Sequence, residues 1–230
     1  MKENLSTRAG VRAEIYHLLA GLFLQPPTPA LLALATEGDP SSFLPMGDRE
    51  SPWMKELSLF AEEAVAMGDL VNEMEAEHTA LFVLPSGVIP QEAMYLDDNK
   101  RLGGAVTIAV RRFYEQAVLE VDDGCIEMPD HLGMELEFLS RLCNLEKLFR
   151  KELEIESLTA CLTLQRDFME RHIGRWARLC CEDIAKKASN GFYRAVALFT
   201  SEFLRIEEEE IKELFVRIRE EDELCENMTA

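Results

Sequence analysis

The sequence predicts an all-α protein, a compact bundle of about eight to ten helices. Apolar residues recur at intervals of three and four along most of the chain, which gathers them on one face of successive helices. No segment of useful length alternates apolar and polar residues as a half-buried strand would. No period of roughly 20 to 50 residues repeats, so a solenoid is disfavoured.

The elements follow in order. Ile15, Leu18, Leu19, Leu22 and Phe23 form the apolar face of a first helix, which Pro26, Pro27 and Pro29 stop. A short helix follows over 30–35, ending at Gly38, and "GDPSSFLPMGDRESP" is a loop by composition. Trp53, Leu57 and Phe60 mark the buried side of a helix over about 52–67, and Val71, Met74, His78, Leu81 and Phe82 continue the pattern over 69–82. "VLPSGVIPQEAMYLDDNKRLGG" breaks regular structure, and loops of that length inside a domain are usually functional. Val106, Val110, Phe113, Tyr114, Ala117 and Val121 mark the next helix, interrupted by "DDGCIEMPD". From His131 a strong helix carries Leu132, Leu136, Leu139 and Cys143. One long helix is expected over about 158–188, then "SNG", then a helix with Phe192, Val196, Phe199 and Phe203. The end of the chain reads as a charged helix or a partly disordered tail.

At 230 residues, 47% apolar and 29% charged, the chain buries a core without disulfide or metal staples. Its 24 basic and 43 acidic residues give a net charge of −19. Such a surface repels nucleic acid, whose phosphates must be neutralised by Lys and Arg. It either attracts a basic partner or serves solubility alone. None of the six cysteines forms a C-x-x-C pair, and most fall on apolar helix faces, where a thiol packs as a small hydrophobe. No stretch reaches the roughly 18 apolar residues of a membrane span, so no stable membrane insertion is expected. The reading is a reduced cytoplasmic protein.

Chemical sites are sparse. Glu75 and His78 make one E-x-x-H, but a di-iron bundle needs two such motifs and two further glutamates. His131 and Glu135 share a helix face, as half a metal site or as an ordinary local pair. Glu135 and Glu137 lie about 200° apart around a helix and cannot act together on one bond. There is no G-x-S-x-G and no P-loop. A metal-dependent helical hydrolase using Glu75, His78, His131 and Glu135 is the alternative among enzymes, and an acidic helical adaptor is the alternative among binders. The stretch "CIEMPDHLGMELEFL" stands out. Asp130 is placed to cap a helix starting at His131, with Pro129 fixing the entry. The glycine-bearing approach "VDDGC" has the composition of a hinge.

Four segments together resemble the TorD/DmsD/NarJ-type redox enzyme maturation chaperones, closest to the TorD-like branch. They are "YHLLAGLFLQPPTPALLALA", "EHTALFVLPSGVIPQEAMYLDD", "MPDHLGMELEFLSRL" and "FMERHIGRWARLCCEDIAKKASNGFYRAVALFTSEFL", in family order over about 14–205. The hinge motif in the third is the most specific. The "YLDD" neighbourhood is Trp-free, where some relatives have tryptophans.

The resemblance implies two helical subdomains joined by a hinge: 1–121, the hinge at 122–130, and 131–206. The acidic helix or tail at 207–230 has no clear counterpart in the family. It implies no enzymatic activity. The implied partner is the apo catalytic subunit of a DMSO-reductase-type molybdoenzyme together with its twin-arginine signal peptide, held until the cofactor is inserted and export can follow. Weak guanine-nucleotide binding is ascribed to some members, but the chain carries no nucleotide motif and no cofactor is expected. The motifs carry over leader-binding candidates: Tyr95, Asp97, Met128, Pro129, Asp130, His131 and Glu135, with Tyr16 and Phe82 competing as core residues. A glycine-bearing hinge leaves monomer and hinge-swapped dimer both open.

Overall fold

A computed structural model describes residues 2–37, 50–117 and 127–229, with side chains from 5 to 218 within those ranges. The described residues form ten α-helices and no strand. Most of the expected hinge, 122–126, lies outside the described residues.

Helix α1 (Lys2–Leu24) is stopped by the proline pair, as the sequence predicts, and α2 (Pro29–Glu37) follows. Helix α3 (Pro52–Ala66) opens with Ser51 at the cap and Pro52 in the first turn, where a missing N–H costs nothing. In α4 (Leu70–His78) the Asp69 carboxylate accepts from the Asn72 amide at 3.2 Å. The amide of Gly68 donates to Glu73 at 3.2 Å, completing a reciprocal cap. The expected continuation to Phe82 is there, but as a π-helical turn, Thr79–Val83.

The long irregular segment holds one short helix, α5 (Ala93–Leu96), before α6 (Ala105–Gln116). Helix α7 (Leu132–Glu152) carries the motif. The single helix expected over 158–188 is two: α8 (Ile155–Arg171) and α9 (Ile173–Lys187). The break is at His172, whose φ of −123° and ψ of −104° are not helical. The chain ends in α10 (Gly191–Thr229), helical where a partly disordered tail was the other possibility.

Among the described residues one large core spans the helices, and a smaller cluster of Leu158, Leu162, Leu214 and Ile218 lies apart from it. Helix α1 lies along α7, and α3 along α10. Gly133 permits the first contact: a Cβ there would meet Leu24 Cγ at 2.5 Å and the Ala20 carbonyl oxygen at 3.0 Å. Trp53 of α3 meets Phe199 of α10 edge-on at 5.2 Å. Tyr16 of α1 meets Phe203 at 4.7 Å, deep in the same core.

A buried polar knot fixes four helices in register. The Arg12 guanidinium reaches Glu207 at 2.8 Å, Glu146 at 2.8 Å and Gln165 at 2.9 Å. Arg150 donates to the second oxygen of Glu146 at 2.8 Å. Two guanidinium groups thus meet two carboxylates, so no buried charge is left uncompensated. Cys143, Cys161, Cys180 and Cys181 are buried, and burial pushes the thiols up, to about 11 for Cys161 and about 12 for Cys180.

Candidate functional site

The motif "MPDHLGMELEF" is stitched to the irregular segment by backbone pairing. Gln91 and His131 form an antiparallel bridge. The Glu92 amide donates to the Asp130 carbonyl, and the Leu132 amide to the Pro90 carbonyl, each at 2.8 Å. This pairing holds His131 extended, at φ −77° and ψ 138°, directly before the helix starts at Leu132. His131, not Asp130, is the cap of α7: its Nδ1 accepts from the Gly133 amide at 3.1 Å. Asp130 turns the other way and accepts from the Ala93 amide at 3.2 Å, capping the first turn of α5. The Pro129 carbonyl accepts from the Tyr114 hydroxyl at 2.7 Å.

Beneath lies a cluster of buried acids. Glu135 has no exposed surface and accepts from the Trp176 indole N–H at 3.1 Å. Its Oε1, and Oδ1 of Asp130, find no hydrogen-bond partner among the described residues. Burial first, and the neighbouring Glu92 second, push the Glu135 carboxyl well up, so it holds its proton. The His172 Nδ1–H donates to Glu92 at 3.0 Å, bridging the broken α8–α9 junction to α5. His131 faces the opposite pressure: burial, with His78 nearby, lowers it to about 4, and it stands neutral.

The surface above is a groove of about 700 Å³ between the irregular segment and α9. Val88, Ile89, Met94, Tyr95 and Leu179 give it apolar walls. Leu179 and Ile89 are exposed there, a placement that needs a reason for side chains of that size. Glu182, Asp183, Lys186 and Lys187 line its charged side. Tyr95 joins the two layers. Its ring lies 5.4 Å from that of Trp176, and its hydroxyl donates to Asp183 at 3.3 Å.

The sequence-derived candidates divide accordingly. Tyr95 is half-buried and faces the groove. Pro129, Asp130, His131 and Glu135 are interior, under that wall. Met128 is half-buried near Gly103. Asp97, half-buried, accepts from the Asn99 amide at 2.7 Å in a tight turn. Tyr16 is core, and Phe82 packs half-buried among Phe23, His78 and Tyr193. Sequence reasoning missed Glu92, Leu179, Glu182 and Asp183. The one available signal was Leu179, apolar but off the Ile173, Trp176, Cys180, Ile184 stripe.

The metal reading fails on placement. Glu75 is exposed while His78 points inward, so their spacing forms no ligand pair. Among the described residues no group of three His, Cys, Asp or Glu side chains is placed to hold a metal. No single described helix is long and apolar enough to cross a membrane.

Comparison with known proteins places the chain. The model of the nitrate reductase delta subunit family matches residues 50–182. The chain is 24% identical over 201 residues to the chaperone protein TorD of Vibrio parahaemolyticus, covering 85% of this chain and 92% of that one. It is 25% identical over 224 residues to the TorD chaperone of Vibrio cholerae, covering 94% and 98%. A perchlorate reductase assembly chaperone of Dechloromonas aromatica is 29% identical over 128 residues, covering 56% and 55%. The chain belongs to the nitrate reductase delta subunit family, in its TorD-like group of chaperones, and is not an enzyme.

Proposed function

We propose that the protein is a dedicated assembly chaperone for a molybdoenzyme, acting in the cytoplasm on the apo catalytic subunit and its twin-arginine leader before export. The groove is the single observation that carries the leader reading: exposed Ile89 and Leu179 beside Tyr95, with Glu182 and Asp183 along one side. A leader is a basic pair followed by an apolar run. The apolar part would lie on the groove walls and the arginines on the carboxylates, a helix-in-groove mode with charge-assisted ends. The overall charge of −19 would steer such a cation in.

In this reading Tyr95 touches the peptide. Asp130, His131 and Glu135 act from beneath, holding α5 and Trp176 in place, and Pro129 and Tyr16 contribute to the scaffold. Asp97, Met128 and Phe82, half-buried, remain proposed contacts for a longer client segment. The segment 122–130 is proposed as the joint between the two helical halves.

Fluorescence anisotropy with labelled twin-arginine leaders from DMSO-reductase-type molybdoenzymes tests the reading. Micromolar binding that weakens with salt and with replacement of both arginines by glutamine is expected. Equal binding of the arginine-free peptide would instead mean an acidic adaptor without leader specificity. No binding of leader or apo-enzyme would end the proposal.

A further inference from the structure

The carboxylates of the groove are already occupied. Lys186 Nζ lies 3.7 Å from Glu182 and 3.6 Å from Asp183, and all three residues line the groove. Its neighbour Lys187 is engaged elsewhere, donating to the Ser86 and Gly87 carbonyls at 2.6 Å each. Lys186 has only the two carboxylates as partners among the described residues. Lys100 also lines the groove, so three ammonium groups stand against two carboxylates. A basic guest meets no local excess of negative charge, and it can pair with Glu182 and Asp183 only when Lys186 moves aside.

We propose that Lys186 is an internal stand-in for the guest's cation, a gate that an incoming arginine must displace; this rests on the leader-binding reading above. The exchange is easy because the pair is wet: the Lys186 side chain is 68% exposed and that of Glu182 61%. Ion pairs of that exposure contribute little. The exchange is also selective. A guest lysine replaces one ammonium by another and gains little. A guanidinium brings a planar fork of donors that a carboxylate accepts in pairs. Lys186 thereby raises the threshold for generic basic segments and favours arginine.

The test compares wild type, Lys186→Gln and Lys55→Gln in anisotropy titrations. Lys55 lies on α3, so its replacement makes the same change in net charge away from the groove. Three labelled probes share one apolar run and differ at the leading pair: Arg-Arg, Lys-Lys and Gln-Gln. Lys186→Gln should tighten Arg-Arg about two- to fivefold, the range that exposed ion pairs allow. It should tighten Lys-Lys at least as much and leave Gln-Gln unchanged, while Lys55→Gln changes none of them. Unchanged or weaker Arg-Arg binding in Lys186→Gln overturns the gate, as does equal tightening of Gln-Gln or an equal effect of Lys55→Gln. If wild type and both variants bind no probe, the leader reading itself has failed and the gate falls with it.

Discussion

The indole N–H of Trp176 donates to Glu135 across 3.1 Å, and the same indole packs against Tyr95 at 5.4 Å. One aromatic thus connects a buried acid to the wall of the proposed groove. Because Glu135 holds its proton in the fold and loses it in the unfolded chain at neutral pH, folding takes up a proton there. Its contribution is greatest in acid and falls as pH rises above the ordinary carboxyl range. Glu135→Gln keeps an acceptor for Trp176 without that penalty, and should be at least as stable as wild type at pH 7.5. Glu135→Ala orphans the indole N–H and opens a cavity, costing about 2 to 3 kcal/mol. Urea melts at pH 7.5 separate the two.

His131 gives the opposite slope. Its ring is lowered to about 4 from an ordinary 6.5, so the unfolded chain binds the extra proton between these values. Stability from this group is fully present above about pH 6.5 and drains away as pH falls toward 4. His131→Asn keeps a cap but does not titrate. Between pH 7 and 4.5 wild type should lose about 2 kcal/mol more than this variant, measured by denaturant melts at each pH.

Leu179→Arg should separate binding from folding. The side chain is half exposed, so stability should change by less than about 0.5 kcal/mol. The new cation beside Glu182 and Asp183 should weaken a twin-arginine peptide at least about tenfold, since it removes an apolar wall and occupies the acids together. Paired thermal melts and anisotropy titrations check both halves.

Leu153 closes α7 in the left-handed region, at φ 61° and ψ 31°, with its apolar side chain exposed. A Cβ is strained there and glycine is not. Leu153→Gly should therefore stabilise by about 0.5 to 1 kcal/mol, read from the melting midpoint, and leave peptide binding unaltered.

How far the sequence could be read follows from the range of each interaction. Helix faces such as Leu132, Leu136 and Leu139 are written in local spacing, so the all-α class is legible. The motif was recognisable as a string, but not its orientation. A backbone bridge to Gln91 moved the cap from Asp130 to His131 and sent Asp130 to α5. Local spacing sets Glu135 on the Leu132, Leu136 and Leu139 face and Glu137 off it, but the indole that packs on Glu135 comes from a distant helix and has no local signature. Glu92 and His172 meet across 80 residues, so neither that contact nor the helix break it accompanies has a periodic signature. The groove on α9 reads in sequence as an ordinary charged face.

The Arg12 knot bears on how this chain is made. Arg12 and its partner Glu207 are 195 residues apart. At a translation rate of about 5 to 20 residues per second, the ribosome needs roughly 10 to 40 s between them. Until the last helix emerges, Arg12 has Glu146 and Gln165 but lacks Glu207, and the first helix has a partly uncovered apolar stripe. A member of a family of assembly chaperones thus completes its own polar knot only when Glu207, made 195 residues later, has arrived.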